Sequence, residues 1–378
     1  MRAAGWLLIS MLCAAGTACG DAATPQAARD AAPVPAPEAE TTAPTAPATP
    51  TLPPGGKVQR VGVWQPPAGV EQVPIWPGTA PDMAGVSWPD ESVLTADTPE
   101  ALAGRTSQAV FDVSVPTMTV FPPKGRNTGA AVIVFPGGGF RILAVTVEGT
   151  EICDWITAQG MTCILSKYRV PKTAHHWDED CRCAVTPKAP RALQDAQRTI
   201  RLVRARAEAL GIDPNRIGVM GFSAGGYLAV QTSNIFKPAY APVDATDRIS
   251  SRPDFAVVFY PGHLCRRGTT FDPGLRVTRR TSPTFLLQAW DDPVDERCNS
   301  TLYARALDDA GVPSEVHLFA QGGHAFGLRG TGRAVSSWPT LLATWLREQG
   351  VLGDAAARRD VAPQGFGSVL PRSGGGRG

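Results

Sequence analysis

The sequence predicts an α/β fold with a mostly parallel central sheet and helices on both faces. Three observations predict it. Short apolar runs alternate with amphipathic stretches from about residue 110 onward. The run Ala130 to Phe135 (AAVIVF) is continuously apolar, as a strand covered on both faces must be. A Gly-rich turn, Gly221 to Gly226, joins one such strand to a helix.

The chain has 378 residues, enough for one sizeable core plus appendages. It opens with Arg2 and a short apolar run, Trp6 to Ala15, too short to span a bilayer. Gly16-Thr17-Ala18 then offers a small-x-small cleavage site, and Cys19 follows at once. This pattern is similar to the lipobox of bacterial lipoproteins, which makes residues 1–19 an export signal and Cys19 a lipidation candidate, a membrane tether for the rest. Gly16 stands where such boxes prefer a larger aliphatic residue, and the alternative is a soluble exported protein cut at the same bond. The expected location is therefore the periplasm or cell envelope, or outside the cell. Residues 20–56 consist almost only of Ala, Pro, Thr, Asp and Glu and cannot bury a core; they read as a stiff extended spacer. The expected catalytic domain covers 57–352, and 353–378 reads as an unstructured tail.

Within the domain, strands are expected at Val113 to Phe121, Ala130 to Phe135, Met161 to Ser166, Ile217 to Met220, Phe255 to Tyr260, Thr284 to Trp290 and Glu315 to Phe319. The clearest helix is Arg191 to Leu210, where Leu193, Ala196, Ile200, Val203, Ala207 and Leu210 recur every three or four positions. Further helices are expected at Val147 to Gln159, from about Tyr227, at Asn299 to Ala310 and at Ser336 to Arg347. In such a sheet, ligands sit beyond the carboxyl ends of the strands, so functional residues should follow strands directly.

Four segments pass that test. Gly221-Phe222-Ser223-Ala224-Gly225 is a G-x-S-x-G between a strand and a helix. A sharp turn there exposes the Ser223 hydroxyl as a nucleophile and aims the following N–H groups at a reacting carbonyl. His324, in a Gly-flanked loop after the strand ending at Phe319, is the candidate general base. Asp291 and Asp292 follow the strand ending at Trp290; the D-x-x-V arrangement favours Asp291 as the acid that orients His324, with Asp292 capping the next loop. Pro136-Gly137-Gly138-Gly139-Phe140 follows AAVIVF; Gly138 or Gly139, with Ala224, would supply the N–H groups of an oxyanion hole.

Other histidines read differently. His175 and His176 sit in a polar loop, His263 precedes no usable acid, and His317 is a packed residue inside a strand. The stretch from His175 to Cys183 (HHWDEDCRC) is dense in ligand types, but its spacing fits no standard zinc site, so a disulfide-tied loop is preferred and no metal is assigned. Cys153, Cys163, Cys181, Cys183, Cys265 and Cys298 permit 15 pairings, and the first two read equally well as buried thiols. A formal net charge of +2, with dispersed Lys and Arg, excludes an electrostatic footprint for nucleic acid. No cofactor is required by this chemistry.

The chain resembles the α/β-hydrolase superfamily, and more narrowly the bacterial acetyl-xylan-esterase-like and feruloyl-esterase-like (BD-FAE-like) hydrolases. The matching stretches include VPIWPGTAP (73–81), VIVFPGGGF (132–140), SKYRVP (166–171), LQDAQRTIRLVRARAEALGIDPNRIGVMGFSAGGYLA (193–229), RPDFAVVFYPG (252–262), SPTFLLQAWDDPV (282–294) and GVPSEVHLFAQGGHAFGL (311–328). The resemblance implies an α/β-hydrolase fold with a nucleophile elbow, a Ser223–Asp291–His324 triad, an oxyanion hole at Gly138, Gly139 and Ala224, and hydrolysis of acetyl esters on sugars. Phe140 stands where the family usually has Tyr, and Cys298 where relatives tend to carry an acid. The expected partner is a small-molecule or polysaccharide ester. The competing expectations are a general short-chain carboxylesterase, a prolyl-type peptidase and a non-catalytic envelope binding protein. Prolyl-type peptidases carry a large domain ahead of the hydrolase, and too little chain precedes the first core strand here. Binding proteins on this fold typically lose a triad member, and none is missing here.

Overall fold

The computed structural model describes residues 57–96, 105–170, 176–178, 183–185, 189–266 and 268–353. The signal, Cys19, the spacer, Cys181 and the tail from 354 onward lie outside the described residues.

Eight strands form the central sheet: β1 (Glu71–Pro74), β2 (Thr117–Phe121), β3 (Ala131–Phe135), β4 (Thr162–Lys167), β5 (Ile217–Phe222), β6 (Phe255–Phe259), β7 (Thr284–Ala289) and β8 (Ser314–Phe319). Their order across the sheet is β8-β7-β6-β5-β3-β4-β2-β1. The six strands from β8 to β4 are parallel to one another, while β2 and β1 run antiparallel to their neighbours. Every residue of β3 to β7 is buried, which requires cover on both faces and explains the unbroken apolar runs. The edge strands β1 and β8 are only partly covered.

The flanking helices are α1 (Glu151–Ala158), α2 (Pro190–Ala205), α3 (Ala224–Asn234), α4 (Cys298–Asp309) and α5 (Trp338–Glu348). Three depart from the periodicity reading. The stretch from Val147 begins as a π-helical turn, Thr146–Thr150, before α1. α2 stops at Ala205, yet Ala207 and Ile212 in the following turns still face the core, so the apolar period outlasts the helix. α3 starts three residues before Tyr227, directly after Ser223. The expected strand from Val113 begins only at Thr117.

A second, four-stranded antiparallel sheet is built from Lys57–Gly62, Glu91–Ala96, Ser107–Phe111 and Ile142–Leu143. Glu91 joins it to the main sheet. Its carboxylate accepts from Lys167 Nζ at 2.6 and 2.7 Å and from the Trp64 N–H at 2.8 Å, all in a buried setting. Asp195 of α2 makes a second deep pair, accepting from Arg169 and from Trp76 Nε1. Such charges persist in a core only when paired and hydrogen-bonded.

Two disulfides lie among the described residues. Cys153–Cys163 ties α1 to β4, so these are not free thiols, and Cys265–Cys298 ties the loop after β6 to the start of α4. From the His/Cys-rich stretch, His176–Asp178 and Cys183–Val185 pair as a short antiparallel ribbon.

Candidate active site

The chain runs from β3 to its neighbour β4 on one side, and later returns to β5 on the other. This reversal leaves a crevice beyond the carboxyl ends of β3 and β5, where a ligand site is expected. The Gly-rich loop leaves β3 there, and the serine turn leaves β5.

Ser223 has φ 52° and ψ −118°, a strained conformation held by the close packing of its neighbours. A Cβ on Gly221 would lie 2.0 Å from the Gly225 carbonyl oxygen, and one on Gly225 would lie 2.0 Å from that of Phe135. The turn is therefore wedged against the end of β3, and only glycine fits at both flanks. Ser223 itself is anchored by its N–H to Phe259 O at 3.0 Å.

In the loop after β3, Gly138 has φ 129°, and a Cβ there would sit 2.3 Å from Ile142 O. Gly139 and Phe140 also have positive φ. Among the described residues, no acceptor is hydrogen-bonded to the N–H of Gly138 or Gly139. The root of the loop is tied down: the Gly137 N–H donates to Glu148 Oε2 at 2.7 Å, and Tyr260 Oη donates to Glu148 Oε1 at 2.9 Å. Burial raises the Glu148 pKa above the ordinary carboxylic value, opposed by His324, Tyr260 and the Gly137 N–H. Nothing in the sequence singled out Glu148, one of three acids within seven residues (Glu148, Glu151 and Asp154). The π-helical turn that presents it is of a kind frequent at functional sites.

His324 corrects the assignment of the acid. Its Nδ1 lies 2.9 and 3.0 Å from the two oxygens of Asp292, whose side chain is 1% exposed. Asp291 points elsewhere. It accepts the N–H groups of Gly322 and Gly323, each at 2.7 Å, and faces Arg333 at 3.4 Å, so it braces the loop that carries His324. Those backbone donors, the Gly323 N–H first, hold the Asp291 pKa below the ordinary value. Both residues lie in the turn beyond β7, and reading the motif one residue early exchanges the buried carboxyl for the exposed one. Asp292 also accepts from the Val294 and Asp295 N–H groups, so the expected capping role belongs to it as well.

A carboxylate at Nδ1 places the imidazole proton there and leaves Nε2 as the acceptor. Burial alone would lower the His324 pKa; hydrogen bonding to Asp292 and the charges of Asp295, Asp292 and Glu148 outweigh it, and the net shift is upward. Ser223 and His324 share one neighbour: Asp295 Oδ2 lies 3.2 Å from Ser223 Oγ and 3.8 Å from His324 Nε2. Serine and imidazole thus stand across a single carboxylate oxygen from each other. Nothing in the sequence marked Asp295, which lies in an ordinary polar loop.

Phe140 is fully buried and packs against Tyr168, Tyr227 and His263. His263 is thus a wall of the same region, and His317 on β8 bonds Glu315 at 2.6 Å beside Phe285 of β7. Cys265, Glu296 and Cys298 lie close together, but the two sulfurs are joined and offer no thiolate to a metal.

The family BD-FAE matches residues 118–235, and the prolyl oligopeptidase family matches residues 192–350. An acetyl ester-xyloside bifunctional hydrolase from Caldicellulosiruptor lactoaceticus is 30% identical, with 75% of this chain and 97% of that one covered at a TM-score of 0.57. An esterase from Thermogutta terrifontis, with propionate bound, is 25% identical over 63% of this chain and 91% of its own, at a TM-score of 0.53. The acetylxylan esterase of Xylanibacter ruminicola is 29% identical over 235 residues, 56% of this chain. The chain spans only 43% of the length of that relative. Sheet order, serine turn and these similarities agree: the chain belongs to the α/β-hydrolase superfamily, within its acetylxylan-esterase-like hydrolases.

Proposed function

We propose that this chain is a serine esterase that hydrolyses acetyl esters of carbohydrates. The observation that carries the reading is Ser223 held at φ 52° at the end of β5, one carboxylate oxygen of Asp295 away from an imidazole whose far nitrogen is bound to the buried Asp292. Ser223 Oγ attacks the ester carbonyl while its proton passes to His324 Nε2. Asp292 stabilises the imidazolium that results. The N–H groups of Gly138, Gly139 and Ala224 receive the negative charge that develops on the carbonyl oxygen. His324 then returns the proton to the departing alcohol oxygen, leaving an acyl-serine. Water, deprotonated by the same imidazole, attacks it; the carboxylic acid departs and the proton returns to Ser223. No metal or nucleotide enters these steps.

The sugar-acetate preference is supported by the similarity to the acetylxylan esterase and the acetyl ester-xyloside hydrolase. We further propose that residues 1–19 direct export and that Cys19 is lipidated, with 20–56 as a spacer between membrane and enzyme. Metabolic labelling with a palmitate analogue, lost in Cys19→Ala, tests the tether. The activity is tested on a chromogenic acetate and on acetylated xylan: Ser223→Ala should keep the fold by circular dichroism and lose both hydrolyses. Undiminished turnover by that variant would refute the esterase. A proline anilide cleaved faster than the acetate would favour a peptidase instead.

A further inference from the structure

The mechanism above gives no part to Asp295, a buried carboxyl in contact with the Ser223 hydroxyl. Asp295 is held at both ends of its main chain. Its N–H donates to Asp292 Oδ1 at 3.0 Å, and its carbonyl accepts from Gln288 Nε2 at 2.8 Å. Its side chain lies over Gly262, where a Cβ would meet Oδ1 at 2.7 Å. The neighbouring backbone is clamped by the Cys265–Cys298 disulfide and by Asn299 Oδ1, which accepts from the Leu264 and Cys265 N–H groups at 2.8 Å each. The carboxylate is therefore built into the site.

Its position identifies what it meets. The departing alcohol oxygen must receive its proton from His324 Nε2 and must lie close to Ser223 Oγ. Asp295 Oδ2 stands in that neighbourhood, within 3.2 Å of one atom and 3.8 Å of the other. A bound ester replaces the serine hydrogen bond and leaves this acceptor beside the alcohol half of the substrate. A buried carboxylate stripped of its donor is penalised unless the substrate brings a new one. A sugar with a free hydroxyl next to the ester brings it, and an ethyl group does not. A sugar acid brings a like charge.

We propose that Asp295 determines specificity on the alcohol side, accepting a hydrogen bond from a hydroxyl adjacent to the ester oxygen and so selecting neutral polyhydroxylated alcohols. This deepens the esterase reading and rests on Ser223 being the nucleophile. Burial pushes the Asp295 pKa up to about 6, with the His324 charge opposing and the Asp292 charge adding to it. The titratable groups that face it are Asp292 from its own loop, His324 from the loop after β8 and Glu148 from the π-helical turn. Selectivity for hydroxylated alcohols should therefore increase as pH rises through about 6 and the carboxyl becomes the stronger acceptor.

The test is the ratio of kcat/KM for a monoacetylated methyl xyloside with a free adjacent hydroxyl to that for ethyl acetate, read on both sides of about pH 6. The ratio cancels the titration of His324, which both substrates share. Wild type should show it rising with pH. Asp295→Ala should lower the ratio about tenfold and abolish its pH dependence, because the acceptor is gone. Asp295→Asn, whose amide oxygen still accepts, should recover part of the ratio but none of the pH dependence. An unchanged ratio in Asp295→Ala, or equal losses on both esters, overturns the proposal while Ser223→Ala remains inactive. Full turnover by Ser223→Ala is a different failure: it removes the esterase reading first.

Discussion

Two turns leave the same edge of the sheet and are built on opposite principles. The serine turn after β5 is determined by its immediate neighbours. Its strain is enforced by Gly221 and Gly225, within two residues of Ser223, and by the end of the adjacent strand. The acid loop after β7 is determined from a distance. Asp295 lies against Gly262, in a loop tied to α4 by the Cys265–Cys298 disulfide and Asn299, and Asp291 is turned outward to brace a loop that lies thirty-odd residues later. A locally enforced turn should fail all at once when one residue changes. A remotely clamped loop should fail by degrees.

The largest expected effect comes from removing the proposed nucleophile. Ser223→Ala should lower kcat for a chromogenic acetate by at least about 10⁴-fold without a shift in Tm, measured by steady-state kinetics and thermal melting. Next is the pair that separates the two acids. Asp292→Asn should cost about 10⁴-fold in kcat, because the amide cannot fix the imidazole tautomer. Asp291→Asn should cost less than about tenfold and appear chiefly as a lowered Tm, since it loosens a loop and touches no reacting atom. Comparable losses from the two substitutions would erase the distinction between them.

Gly138→Ala should lower kcat by about 10²–10³-fold, as a Cβ displaces the loop from Ile142 O and misplaces its N–H donors. Opening the disulfide through Cys265→Ser with Cys298→Ser should be milder. The expected loss is about 2–4 kcal/mol of stability, read by denaturant melting, with a partial fall in kcat/KM. An inactive but folded double mutant would show that the acid loop depends on the covalent clamp more than on its hydrogen bonds. The smallest effect is a shift of pH profile. The carboxylates around His324 favour its charged form, so the base is lost as pH falls through a value above the ordinary imidazole value of 6.5. Asp292→Asn should move the acid limb of kcat/KM downward, because it removes one of the groups that hold the proton.

What the sequence determined by itself had a short period or a short span. The continuous apolar runs of β3 and β5 follow from burial on both faces, and the serine turn from a glycine pattern only five residues long. The order of serine, acid and histidine along the chain is likewise a property of the sequence. The tertiary structure decided the rest. It chose Asp292 over Asp291, because two adjacent carboxyls have the same chemistry and differ only in direction. It joined Cys153 to Cys163 and Cys265 to Cys298, pairings that spacing leaves open. It brought Glu148 beneath the Gly-rich loop and Asp295 between serine and histidine. Backbone preference and hydrophobic period act over a few residues, so a sequence can display them. A side-chain contact across seventy residues exists only once the sheet has assembled.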